Sequence, residues 1–265
     1  MYVDSHCHLD FPELAQKLPE ILASMQANQV THALVVSVNQ PDWPALLALV
    51  SPHAHLFASV GVHPDYEDTP EPDVAQLLQA AAHDKVVAIG ETGLDYYRLA
   101  EPLDWQRDRF RTHIRAAREA GLPLIIHTRA SADDTLRIMR EENAAQAGGV
   151  MHCFTETWEV AQAAIDQNFY ISISGIVTFK NATQLHDVAR RVPLERLLIE
   201  TDSPYLAPVP YRGKVNDPSK VIHVAERIAE LRGIPVAEVA RATTDNFFRL
   251  FSKAGGHPAA RMQDA

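Results

Sequence analysis

Residues 123–154 read PLIIHTRASADDTLRIMREENAAQAGGVMHCF. A short run of Leu and Ile follows Pro123 and ends on His127. A segment of helical period covers about 133–144, and a second apolar run, GVM, ends on His152. Strand, helix and strand in about thirty residues form one unit of a parallel sheet, because parallel neighbours need a crossover between them. Both runs are continuously apolar rather than alternating, the pattern of strands buried on both faces.

The unit recurs along the chain. Strands are expected near 2–8, 31–37, 56–62, 86–91, 123–128, 149–154, 169–174 and 197–202. Helical stretches lie between them at about 13–28, 42–50, 73–83, 103–121, 133–144, 156–167, 182–191 and 218–232. In 103–121 (LDWQRDRFRTHIRAAREAG), Trp105, Phe110, Ile114 and Ala117 share one side, and Gly121 with Pro123 gives the stop. A last helix, about 236–252, is expected to pack outside the eighth unit. Eight alternations in 265 residues predict a (β/α)8 TIM barrel. The barrel is expected to be a single domain over 1–252, with 253–265 as a disordered tail. An open doubly wound sheet is the alternative, but no Gly-rich phosphate loop follows the first strand.

Composition sets the outer limits. Apolar residues make up 46% and charged residues 22%, ordinary for a globular chain. The net charge of −10 argues against broad charge-driven binding to nucleic acid or anionic membrane. It leaves open an enzyme that grips phosphates through metal ions, whose charge the count omits. No window approaches the roughly 18 apolar residues of a membrane helix. The start, MYVDSHCHLD, has no signal-peptide pattern, and the two cysteines, Cys7 and Cys153, do not indicate a disulfide framework. A cytoplasmic location is the expectation, with no membrane and no obligate protein partner.

The chemistry is concentrated where strands end. In Asp4-Ser5-His6-Cys7-His8, alternation turns His6 and His8 to one face and Cys7 to the other. Alone, that pair is equally compatible with two core or solvent histidines. Glu91 closes VVAIGE, His127 closes PLIIH, His152 closes GVMH and Asp202 closes LLIETD. Each falls at the C-terminal end of an expected strand, the rim where barrels of this kind carry their active sites. Such groups need partners there, and a metal satisfies several at once. Four imidazoles and two carboxylates exceed one tetrahedral ion, so two divalent ions bridged by a carboxylate fit better. Glu91 is the expected bridge, since its strand lies between those of the two histidine pairs. Ligand softness favours Zn, Mn, Fe or Ni over Mg.

Other polar residues carry weaker signals. His63, in GVHP, is a candidate for substrate contact or for capping. Arg129, and Arg212 with Lys214 in PYRGK, are candidates for holding a phosphate or for solvated positions. Asp95 and Tyr96 are expected to order the rim. Cys7 and Cys153 are expected to face away from the ligands. His83, His113, His186 and His223 fall on expected helices and are read as surface or packing residues.

The ordered motifs DSHCHLD, GVHP, IGETGLDYY, LIIHTR, MHCF, TDSPYLAP and PYRGK resemble the TatD family of metal-dependent hydrolases, from Met1 to about Phe251. The resemblance implies a TIM barrel with His6, His8 and Asp202 on one ion, His127 and His152 on the other, and Glu91 between them. It suggests Mg or Mn, and a deoxyribonuclease of the 3′→5′ single-strand type. In that reading Glu91 and Asp202 are catalytic, with Asp202 as ligand, general base or both. Relatives linked to D-aminoacyl-tRNA deacylation keep a deacylase or lactonase open as the alternative, beside a catalytically silent scaffold. KVND at 214–217 departs from the pattern, in which a second basic residue is more usual.

Overall fold

The computed structural model describes residues 1–97 and 103–255. Its strands are β1 (Tyr2–Cys7), β2 (Val30–Val35), β3 (Leu56–Val60), β4 (Val86–Asp95), β5 (Leu124–Arg129), β6 (Gly149–Met151), β7 (Phe169–Ile173) and β8 (Leu197–Ile199). They lie side by side in chain order, each parallel to the next. The last meets the first through a parallel bridge between Cys7 and Ser203. There the Asp202 N–H donates to the His6 carbonyl at 2.9 Å, and the His8 N–H to the Ser203 carbonyl at 2.8 Å. This is the expected (β/α)8 barrel, and its closure sets residues 6, 8 and 202 beside one another.

Alternation sorts the side chains into two sets, one filling the barrel and one meeting the helices. Val3, Leu34, Phe57, Val87, Ile125, Val150, Tyr170 and Leu198 form a buried inner cluster. Two positions further along their strands stand Ser59, His127, His152, Ser172 and Glu200. The barrel is therefore dry at its base and polar at its rim. The outer set, including Ile126, Met151, Ile171 and Ile199, packs with Phe110, Ile114, Val188 and Ile228 of the helices.

Two irregularities turn metal-type side chains inward. In β1 the register shifts between Asp4 and Cys7, and in β4 between Ile89 and Thr92. Ile89 and Cys7 belong to the outer cluster. Without the β4 shift Glu91, two residues beyond Ile89, would follow it outward. One residue of slip flips every later side chain, which is how bulges re-aim residues at functional sites.

The helices depart from the sequence expectation in three places. The stretch at 13–28 is split into Pro12–Ala15 and Leu18–Ala27, with Pro19 in the first turn of the second helix. The helix Val236–Leu250 does more than flank the eighth unit: Phe247 and Phe251 join the inner cluster and close the barrel's base. Residues 253–255, read as part of a tail, lie in the short helix Ser252–Gly255, where Lys253 Nζ donates to the Ala81 and His83 carbonyls. The rest of that expected tail, 256–265, lies outside the described residues. No helix among the described residues is long and apolar enough to cross a membrane.

Candidate metal centre

Glu91 stands at the centre of the rim with its two oxygens facing different groups. Oε2 is 3.2 Å from His6 Nε2 and 4.0 Å from His8 Nε2. Asp202 Oδ1 completes that side, 3.7 Å from His6 Nε2 and 3.5 Å from His8 Nε2. Oε1 is 2.7 Å from His152 Nε2, 3.2 Å from His127 Nδ1 and 3.3 Å from His63 Nε2. All six residues expected as ligands thus converge, and His63 joins them.

Two of the ring nitrogens that point away from Glu91 are hydrogen-bonded, and a third faces a carboxylate. His8 Nδ1 lies 3.0 Å from the Val36 carbonyl, and His127 Nε2 lies 3.0 Å from Asp95 Oδ2. His152 Nδ1 faces Glu200 Oε1 at 3.4 Å, and the same oxygen accepts the Cys153 N–H at 2.7 Å. Metal-binding histidines show this arrangement, because an acceptor on the far nitrogen fixes the ring and its tautomer. His8 also stacks on Phe11, and His6 on His152.

The electrostatics favour a bound cation. Burial opposes the charge on Glu91, yet His152, His63, His6 and His127 outweigh it and hold the carboxyl well below the usual range. Asp202 is lowered in the same way, burial being overcome by His8, His6 and His152. Burial pushes the His8 ring down, but Asp202, Glu91 and Asp10 raise it to about 9. His152 is raised well above the ordinary value, with Glu91 and Glu200 overcoming burial. Anionic carboxylates that draw protons onto neighbouring rings will also draw metal ions in their place. His6 Nδ1, both ring nitrogens of His152 and Glu200 Oε2 are buried without a hydrogen-bond partner. Three sets suit an ion by proximity: His6, His152 and Asp202; His6, His8 and Glu91; His63, Glu91 and His127. The donors present therefore fit divalent metal.

The remaining expectations divide. Asp95 holds His127, and its carboxylate is lowered because His127, the Tyr97 N–H and Arg129 overcome burial. Tyr96 is turned away: its hydroxyl donates to Asp134 at 2.7 Å, and burial with Asp134 pushes it up to about 12. Arg129 lines the cleft, stacked over Tyr97 at 4.0 Å. Arg212 is exposed and stacks on Phe179 at 4.1 Å, outside the residues that line the cleft, and Lys214 is exposed on the same loop. Cys7 faces the outer cluster, but Cys153 lines the cleft, contrary to expectation. Its φ of 42° breaks the strand alternation just past His152. Burial pushes the Cys153 thiol well up, which favours its protonated form.

Sequence reading passed over Glu200, which is fully buried between His152 and the Cys153 backbone. The period of two through Leu198, Glu200 and Asp202 was the available signal. His113, expected as a surface or packing residue, is fully buried on its helix, where its Nε2 accepts the Val62 N–H beside His63. His83, His186 and His223 bond to Lys85, Val177 and Glu226, away from the rim.

The cleft above these groups has a volume of about 690 Å³ and is walled by Phe11, Tyr66, Arg129, Ile176 and Tyr205 among others. A TIM barrel with histidine and carboxylate donors gathered at the C-terminal rim defines a metal-dependent hydrolase. The family model described as TatD related DNase matches residues 3–252, and the chain belongs to that family. It is 50% identical over 252 residues to the uncharacterized metal-dependent hydrolase YcfH of Escherichia coli (strain K12), covering 94% of this chain and 95% of that protein. It is 43% identical to the uncharacterized metal-dependent hydrolase YabD of Bacillus subtilis (strain 168), covering 95% and 99%. The solved structure of YJJV, a TatD homologue from Escherichia coli K12, matches with a TM-score of 0.89 at 29% identity over 95% of this chain and 98% of that one.

Proposed function

We propose that the chain is a phosphodiesterase that uses two divalent ions, Mg, Mn or Zn, to remove nucleotides from the 3′ end of single-stranded DNA. The observation that carries this reading is the divided carboxylate of Glu91, with Oε2 3.2 Å from His6 and Oε1 2.7 Å from His152. His6, His8 and Asp202 would hold one ion, His127 and His152 the other, and Glu91 both. Bound there, such a pair would supply an activated water and positive charge beside a phosphodiester.

The chain's own groups supply the rest. Asp202 is held anionic by the surrounding histidines and can take the proton of the attacking water. Arg129 offers a planar fork to a phosphate oxygen from the cleft wall. Phe11, Tyr66 and Tyr205 give unpaired bases apolar faces at the mouth. The description of the matching family supports DNA, and a net charge of −10 favours a strand gripped locally over a long duplex contact. Cys7 and Cys153 are free, as suits the cytoplasm.

The test uses single-stranded oligonucleotides labelled at the 3′ or the 5′ end, with Mg²⁺, Mn²⁺, Zn²⁺ or EDTA. Metal-dependent shortening from the 3′ end is expected, lost with EDTA and in a His127→Ala/His152→Ala double variant. No cleavage by protein that binds two ions would instead point to a carbonyl centre, to be pursued with acyl and lactone substrates. A separate expectation concerns Asp95. Asp95→Ala frees the His127 ring, and affinity for one of two ions should fall about 10–100-fold. Calorimetric titration of the metal-stripped protein reads this directly, and two unchanged affinities would remove Asp95 from the site.

A further inference from the structure

His63 differs from its neighbours in the sense of its hydrogen bonds. His8 and His127 each hydrogen-bond an acceptor with the nitrogen distant from Glu91, and His152 turns its distant nitrogen to Glu200 at 3.4 Å. In His8 and His127 the acceptor fixes the ring hydrogen on the far nitrogen and leaves the near one with a lone pair, as an ion requires. At His63 the pattern is reversed. Its Nδ1 accepts the backbone N–H of Asp65 at 3.0 Å, so Nδ1 is the bare nitrogen. The ring hydrogen is therefore on Nε2, which points at the centre, 3.3 Å from Glu91 Oε1 and 3.3 Å from His127 Nδ1. A nitrogen that carries hydrogen has no lone pair for a cation. Proximity groups His63 with Glu91 and His127 as a possible ion site, but its tautomer opposes that assignment.

The main chain around His63 is gripped from the helix Asp104–Ala120. The Val62 N–H donates to His113 Nε2 at 3.1 Å, Arg109 Nη1 donates to the His63 carbonyl at 2.9 Å, and Gln106 Nε2 donates to the Pro64 carbonyl at 3.1 Å. Gln106, Arg109 and His113 stand on one face of the helix, and all three are buried. His113 Nδ1 donates to the Arg109 carbonyl at 2.8 Å, which leaves Nε2 as the acceptor that Val62 needs. Gln106 Oε1 accepts the Asp95 N–H at 2.8 Å, so one side chain spaces the His63 segment against the residue that orients His127. Buried polar groups are costly unless satisfied, and apolar side chains would pack this helix as well. The polar face is accounted for by the segment it holds.

We propose that His63 is a catalytic hydrogen-bond donor, its Nε2–H directed at an oxygen of the substrate, and that Gln106, Arg109 and His113 are its positioning residues. The proposal rests on the reading of the centre as one that cleaves an ester, since it requires a substrate oxygen beside Glu91. It separates His63 from the ligands: removing it costs turnover and leaves the ions in place.

The first test is the long-range ¹H–¹⁵N spectrum of ¹⁵N-histidine-labelled protein loaded with Zn²⁺. His63 should show a protonated Nε2 and a bare Nδ1, whereas His8, His127 and His152 should show metal-shifted nitrogens. The second is metal titration beside turnover of bis-p-nitrophenyl phosphate. His63→Ala should keep the wild-type metal stoichiometry and lose about 10²-fold or more in kcat. His63→Gln, whose amide can still donate, should recover part of that loss. His113→Leu should lower kcat at constant metal content and move the His63 ring signals, and His113→Gln, which keeps an acceptor for Val62, should restore both. A metal-shifted His63 Nε2, or loss of one ion in His63→Ala, would overturn the proposal. Spectrum and metal titration need no substrate. Failure to cleave DNA would therefore count against the functional reading and leave the assignment of His63 to be decided on its own.

Discussion

Glu91→Ala is expected to reduce turnover on the order of 10³-fold or more, and to weaken binding of both ions. The size follows from where the carboxylate stands. It is 2% exposed and supplies one oxygen to each half of the centre. Its removal leaves His6 and His152 stacked at 3.9 Å and takes away the carboxylate that His6, His8 and His152 face with Nε2 and His127 with Nδ1. Asp202 is then the remaining carboxylate, close to His6, His8 and His152, while His127 keeps none on its Nδ1 side. Loss should therefore be larger on the His127 side. Glu91→Gln separates charge from shape: it keeps an oxygen for one ion and presents N–H groups to the other, so one affinity should survive. Metal content by mass spectrometry, with turnover of bis-p-nitrophenyl phosphate, reads both variants. Near wild-type turnover in Glu91→Ala would refute the bridging arrangement.

The residues that chelate by position were legible because they end apolar runs. His127 after Leu-Ile-Ile and His152 after Gly-Val-Met need no tertiary information beyond the rule that rims carry function. Glu200 was hidden by its neighbour. Asp202 closes the motif visibly, and the inward period through Leu198 becomes apparent only when the barrel's two faces are told apart. Gln106, Arg109 and His113 were hidden differently: spaced three and four apart, they look like the solvent side of an amphipathic helix. The pattern records polarity without recording what lies opposite, and here that is the backbone of 62–64 rather than water. The aim of His6 and Glu91 likewise depends on register shifts that strict alternation does not foresee. Strand β4, expected over 86–91, is longer than that. It continues to Asp95, and the glycines of GETG are what allow it.

Gly93→Ala is therefore expected to leave little folded protein. Gly93 pairs with His127 and has φ of +137°, a conformation that residues with a Cβ rarely adopt. A Cβ there would lie 2.0 Å from the His127 carbonyl oxygen and 3.0 Å from that residue's backbone nitrogen and carbonyl carbon. These are main-chain atoms, so no rotamer change relieves the clash. β4 and β5 would have to part where Asp95 orients His127. Backbone strain alone costs about 1–3 kcal/mol. With the steric term the total should exceed about 4 kcal/mol, a large share of the roughly 5–15 kcal/mol that holds a typical domain. Gly213→Ala is the control: φ is +80° but nothing lies within 4 Å of the added carbon, so only the strain of about 1 kcal/mol remains. Urea unfolding followed by circular dichroism, with soluble yield, compares the two. A wild-type midpoint for Gly93→Ala would mean that β4 does not approach β5 this closely. The scaffold that aims His127 at Glu91 would then have to be built some other way.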